Sequence, residues 1–318
     1  MKYKHLIHGI AAFVPGISQY CEKGTGGTDS ARYCYSVWLR HLVMAKSNGL
    51  NPYPKIVAEL GPGESLGVGL AALISGSDKY FAFDVVEHAN AERNLEIFDE
   101  LVTLFKNRTA IPGGGEFPEV KPHLEGYDFP ADILDGNRLQ HALERTRIER
   151  IRDSIIDLQR NDSLIRYKVP WHDASVLEAE SVDMIYSQAV LEHVDDLLNT
   201  YKAMRLWLKP TGFISHQIDF RCHGTADAWN GHWAYSDLMW KLIDFMWKLI
   251  KKRPYSLNRE PHSMHIALLK EEGYRVVCDK VSESKSSLTK LELAPRFKSI
   301  SDDDLTTSGA FIQAMKIS

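Results

Sequence analysis

The sequence is short of cysteine, of long apolar runs and of charge of one sign, and each shortage removes a class of protein. Its four cysteines (Cys21, Cys34, Cys222, Cys278) stand far apart and never form a C-x-x-C pair. That spacing argues against a structural zinc site or a disulfide framework and fits a reducing cytosol. No apolar run approaches the roughly 20 residues that cross a bilayer. The opening MKYKHLIHGIAAFVPGIS imitates a signal peptide, but His8 and Pro15 interrupt it and no A-x-A cleavage site follows, so a cytoplasmic location is expected. A net charge of −4 gives no broad footprint for nucleic acid, which is not an expected partner. None of the 13 histidines forms an H-x-x-x-H pair, and no tightly bound metal is expected.

What remains is an ordinary globular composition, 44% hydrophobic and 25% charged, in 318 residues. That length supports one large domain with additions. Residues 1–50 read as a mostly helical extension, above all SARYCYSVWLRHLVMAKSNG with its Asn-Gly stop. KIVAEL (55–60) reads as a buried strand, followed by a Gly-Pro-Gly turn, the helix GVGLAALIS and the strand KYFAFDVV (79–86). Strand, glycine turn, helix and strand make a βαβ unit, hence a parallel sheet. Residues 87–165 exceed one crossover and read as an insertion over the sheet edge or the active site, with one charged helix in LQHALERTRIERIRDSIIDLQR.

Further strands are expected at IRYKV (165–169), VDMIYSQ (182–188), GFISHQIDF (212–220), YRVVCDKV and GAFIQAMKI, with helices near 195–208 and 262–272. The alternation predicts a doubly wound α/β sheet in a single domain, with an acceptor-side helical insertion over 221–262. Within it, SDLMWKLIDFMWKLIKKR reads as a capped basic helix whose repeated MWKLI sets Trp240 and Trp247 on nearly one face. That face suits core packing or a homo-oligomer contact, and a basic amphipathic helix can also rest on a membrane surface.

Chemistry concentrates in IVAELGPGESLG. Glu59 ends a strand, and Gly61 and Gly63 shape the turn, where missing Cβ atoms let a ligand approach. Asp84, at the end of the next strand, can accept hydrogen bonds from both hydroxyls of a ribose. A dinucleotide fingerprint needs glycine where this chain has Leu66, and Glu59 and Glu64 oppose a pyrophosphate. A carboxylate at Glu59 suits instead the ammonium of an amino-acid tail.

ELGPGES, the Asp84 strand end, WHDAS and VDMIYSQAVLEHVDDLL resemble, in order across about 56–220, the motifs of class I S-adenosylmethionine-dependent methyltransferases. The resemblance implies a Rossmann-like seven-stranded sheet and S-adenosyl-L-methionine as donor, with S-adenosyl-L-homocysteine as product. It implies that Glu59 and the Gly61, Pro62, Gly63 backbone face the methionine part, with Ser65 replacing the third loop glycine. Asp84 would bind the ribose, Val85 would lie beside the adenine, Asp173 and Ala174 would meet the adenine amino group, and Ser187 and Gln188 would sit near the sulfonium. Asp173 also suits a turn cap. The flanks, GTGGTDSARYCYSVWLRHL, SHQIDFRCHG and SLNREPHSMH, are similar to bacterial glycan methyltransferases of surface-polysaccharide biosynthesis.

A sugar or glycan terminus is therefore the expected acceptor. A small non-sugar metabolite and a catalytically inactive adenosyl-ligand-binding protein are the alternatives. A sugar hydroxyl needs help to lose its proton. Asp219, His193 and His223 are the candidates, with Asp219 foremost as base or base-orienter; strand alternation turns His216 away from Asp219, toward packing. Arg32, Tyr35, Asn258 and Arg259, polar or aromatic among apolar neighbours, are the expected acceptor contacts.

Overall fold

The computed structural model describes residues 27–87, 90–171, 174–251 and 256–317. The signal-like N-terminal stretch and Asp173 lie outside them. Seven strands form one sheet in the order β3-β2-β1-β4-β5-β7-β6. They are β1 (Ile56–Leu60), β2 (Lys79–Phe83), β3 (Ile165–Lys168), β4 (Val182–Gln188), β5 (Leu208–Asp219), β6 (Tyr274–Glu283) and β7 (Thr307–Lys316). β1 to β5 run parallel, whereas β7 is antiparallel to both β5 and β6. This is the Rossmann-like class I methyltransferase fold.

Alternate residues of each strand feed two cores. Val57, Tyr80, Met184, Tyr186 and Phe213 face one layer, made by α1 (Ala31–Ser47), α2 (Gly67–Ile74), α3 (Ala91–Lys106) and α5 (Arg145–Ile156). Ala58, Leu60, Phe83, Ile185 and Ile214 face the other, made chiefly by α6 (Leu197–Trp207) and α8 (His262–Glu271). Helix α2, GVGLAALI, is apolar all round and buried at every position, as a helix between a sheet and two other helices must be. The amphipathic α7 (Asp237–Lys251) and the short α9 (Asp302–Thr306) complete the set after β5.

Helix α1 starts at Ser30, whose side chain accepts from Tyr33 N, and carries Trp38, Arg40 and His41 into the interior. Residues 107–135, which hold no helix or strand, wrap around it. The Arg40 guanidinium donates to the carbonyls of Val120 (2.6 Å), Pro122 (2.8 Å) and Pro112 (3.1 Å), and Ser36 donates to Pro112 (2.7 Å). The same segment carries Glu119 and Val120 to the main cavity. The single charged helix expected over LQHALERTRIERIRDSIIDLQR is instead two, α4 (Gly136–Ala142) and α5, with Glu144 extended between them. Among the described residues, Cys34, Cys222 and Cys278 are free, buried thiols.

Candidate active site

In open parallel sheets, ligands sit beyond the carboxyl ends of the strands, where the strand order reverses. Here that point lies between β1 and β4, and a cavity of about 1210 Å³ opens over it. A pocket for one small ligand holds about 300–1,000 Å³, so the volume suits a donor and an acceptor side by side.

The turn after β1 forms the floor. Gly61 has φ +64°, and a Cβ there would lie 2.6 Å from Val190 Cγ2, so the turn packs directly on the chain leaving β4. Only glycine meets both conditions. Glu59 is buried beneath this turn, on the α1–α2 side of the sheet, and accepts from the hydroxyls of Tyr80 and Tyr186, the latter at 3.1 Å. Burial pushes its carboxyl up to about 7, although the two tyrosine hydrogen bonds pull the other way. Asp84 follows β2 and is fixed by backbone donors, Val85 N at 2.7 Å and Val86 N at 3.3 Å on one oxygen and Gly63 N at 3.4 Å on the other. Two carboxyl groups on the floor suit a ligand with hydroxyls and a cationic end, and oppose a pyrophosphate.

An apolar slot continues from Asp84. Phe83, Val85, Trp171, Ala174 and Leu206 line it, with the Trp171 ring centroid 5.8 Å from that of Phe83 and 5.5 Å from that of Trp207. Trp207 Nε1 donates to Ala174 O at 2.7 Å and so ties down the loop after β3. A flat heterocycle fits this wall. At the end of β4, Gln188 lines the cavity with its Oε1 buried and unpartnered, an acceptor awaiting a donor. Asp84, the apolar slot and Glu59 thus offer groups that a ribose, a flat purine and a cationic tail would fit.

The opposite wall is polar and charged. Asp219 ends β5, with Arg221 closing on its carboxylate at 2.7–3.1 Å and His223 Nε2 at 3.3 Å. Burial works against the Asp219 charge, but the hydrogen bonds from His223 and Arg221 outweigh it and hold the carboxyl well below the usual carboxylate range. Glu119 reaches Arg221 at 2.7 Å from the loop around α1. His223 has φ +48°, the left-handed region, a strained placement typical of functional loops. Its ring lies 5.2 Å from that of His193, edge to face. His193 Nδ1 is 3.1 Å from the Ser256 carbonyl, which only accepts, so Nδ1 carries the hydrogen.

The cavity thus gathers Glu59, Gly61, Pro62, Gly63, Asp84, Val85, Ala174, Gln188, His193, Asp219 and His223. Other candidates sit elsewhere, each for a visible reason. Ser65 is buried and donates to Thr28 O, holding Thr28 on the turn. Ser187 pairs with His216 at 2.8 Å inside the sheet, and burial pushes His216 down to about 3, so this imidazole is a neutral packing group. Tyr35 lies in the α1 core with its hydroxyl on Thr109 O at 2.6 Å, and Arg32 pairs with Glu116 at 2.6 Å, away from the cavity. Asn258 donates to the carbonyls of Leu191 and Val194 at 2.7 and 2.8 Å, clamping the short turn that bears His193. Arg259 is buried under Trp240 and Phe297 and pairs with Asp237 at 2.7 Å.

Trp171, Glu119, Gln217 and Arg221 line the cavity and were not anticipated. Trp171 stands in WHDAS and Arg221 in DFRCHG, so an aromatic before the expected adenine residue, and a base beside the expected acid, were the available signals.

Residues 148–215, about a fifth of the chain, match the family described as a methyltransferase domain. No curated protein matches the sequence. Among solved structures, the chain is similar to an S-adenosylmethionine-dependent methyltransferase from Mesorhizobium loti, at 12% identity and TM-score 0.39 over 83% of this chain and 91% of that one. It is also similar to phosphoethanolamine N-methyltransferase 2 of Haemonchus contortus, solved with S-adenosyl-L-methionine, at 15% identity and TM-score 0.41 over 96% of this chain and 61% of that one.

Proposed function

We propose that this chain, an S-adenosylmethionine-dependent methyltransferase, methylates a hydroxyl of a polar acceptor, in the first place a sugar or glycan terminus. The observation that carries the acceptor reading is the Asp219–His223–Arg221 cluster facing the donor half of one cavity. S-adenosyl-L-methionine supplies a methyl group already activated on a sulfonium, so the chain's residues have to align the acceptor, exclude water and take a proton.

Asp219 is tied up by Arg221 and is too weak a base to take that proton. Its role is to hold the His223 ring: with hydrogen on Nε2 toward Asp219, Nδ1 keeps the lone pair. His193, whose Nδ1 faces the Ser256 carbonyl, stands beside His223 as second imidazole. Arg221 and Glu119 fit hydrogen bonds to neighbouring hydroxyls of the acceptor. A small non-sugar metabolite would use the same groups.

Transfer of labelled methyl to capsular or lipopolysaccharide acceptors, against a panel of small hydroxylated metabolites, separates the two. Removing a general base costs roughly 10²- to 10⁴-fold in rate. His223→Asn should lower kcat within that range while S-adenosylhomocysteine affinity stays at the wild-type value. Near-normal turnover in folded His223→Asn would remove His223 as the proton acceptor.

A further inference from the structure

We propose that α7 rests on an anionic lipid surface through its exposed face, so that the acceptor reaches the cavity from a membrane. The inner face of this helix is partnered: Trp240 packs with Tyr235 and Leu257, and Ile243 joins them. The outer face is not. Leu238, Leu242 and Phe245 are 82%, 46% and 62% exposed, at i, i+4 and i+7, which makes one continuous ridge. Of the other exposed large apolar residues described, Val85 and Leu206 belong to the cavity wall.

Charge identifies the occupant. Acids outnumber bases in the whole chain, 42 to 38, but residues 237–253 hold five bases and two acids. Lys241 is exposed and, three residues from Leu238 and four from Phe245, borders the ridge. Asp237 is drawn to Arg259 at 2.7 Å and Asp244 to Lys248 at 3.0 Å, so neither carboxylate stands alone beside the ridge. Leucine and phenylalanine edged by lysine are the composition of a helix lying in a lipid interface. The core of a protein–protein interface is instead depleted in lysine. No helix among the described residues is long and apolar enough to cross a membrane, so the contact is one of lying on it.

The same helix touches the active-site loop. A Cβ on Gly224, the residue after His223, would lie 3.8 Å from the Trp247 ring. Trp247, on the inner face of the helix beside Trp240, thus packs against the loop that carries His223. An acceptor carried on a lipid would be presented at the cavity; this last step rests on the methyl-transfer reading above.

The test is sedimentation of the full chain with vesicles of phosphatidylcholine alone or mixed with phosphatidylglycerol. A basic residue near such a surface contributes about 1 kcal/mol, so binding to the anionic vesicles should exceed binding to the neutral ones by at least about tenfold and fall with salt. The double variant Leu238→Ser, Phe245→Ser should lose it, while calorimetry shows S-adenosylhomocysteine affinity unchanged and the fold intact. The proposal is overturned if the wild type stays in solution with both vesicles, or if the variant sediments equally. It is also overturned if this face forms a stable dimer that the variant abolishes. Vesicle failure with intact S-adenosylhomocysteine binding leaves the methyl-transfer reading standing, whereas loss of that binding in the wild type strikes the latter alone.

Discussion

Glu59 shows how one buried group links the floor of the site to pH. Its carboxyl, pushed up to about 7 by burial, is largely protonated in the empty site below that pH. An ammonium beside it favours the ionised form, so binding below pH 7 must release a proton. Donor affinity should therefore rise with pH, by up to about tenfold per unit, and level off above about 7. Calorimetry in buffers of different ionisation heat measures the released proton, and Glu59→Gln should abolish both release and slope; a slope unchanged in that variant would remove Glu59 from the ammonium. The places of Glu59 and Asp84 at the cavity were legible because strand ends and a glycine turn fix which residues meet at the carboxyl edge of the sheet. Arg32 and Tyr35 misled because a polar residue among apolar ones marks either a pocket or a buried hydrogen bond. Here the partners are Glu116 and the Thr109 carbonyl, about 75 to 85 residues away in sequence and invisible to local pattern.

The strands and most helices were readable from apolar periodicity, since β-branched runs between glycine turns have few alternatives. VDMIYSQ forms β4 over Val182–Gln188, and GVGLAALI forms α2. The break between α4 and α5 was not readable, because Leu143 and Glu144 carry no glycine or proline signal. The α2–β2 corner holds both pieces instead: Arg147 donates to the Leu73 and Ser77 carbonyls, while a Cβ on Gly76 would lie 3.3 Å from the Arg138 guanidinium. Likewise, α1 read as a helix, but nothing local said that residues 107–135 would enclose it and bring Glu119 to Arg221. Tertiary contacts decide such points, and a single sequence does not contain them in local form.

For the molecule as a whole, strand alternation predicted the sheet, whereas the antiparallel insertion of β7 between β5 and β6 was beyond its reach. Buried charge sets the response of that whole to acid. His41, His216, His232 and His265 are each pushed down to about 3 by burial, so the unfolded chain takes up their protons first as pH falls below about 6.5. Glu59 and Glu192, raised by burial, take protons first in the folded state and offset part of this. Four histidines against two carboxyls leave a net loss of about two protons' worth, roughly 2.7 kcal/mol per pH unit between pH 6 and 5, steepening below about 4.5. Denaturant melts across that range should show the fall, and a flat profile would mean that these histidines are not buried neutral. The central claim is that the turn after β1 and Asp84 hold an adenosyl donor. Its most direct test is calorimetric titration of S-adenosylhomocysteine into the wild type and Asp84→Ala. A lost charge-assisted hydrogen bond is worth about 1.5 to 3 kcal/mol, so the variant should bind roughly 10- to 150-fold more weakly at a one-to-one stoichiometry, while NAD gives no heat with either protein. Equal affinity in a folded Asp84→Ala, or binding of NAD in place of the adenosyl ligand, would contradict the account.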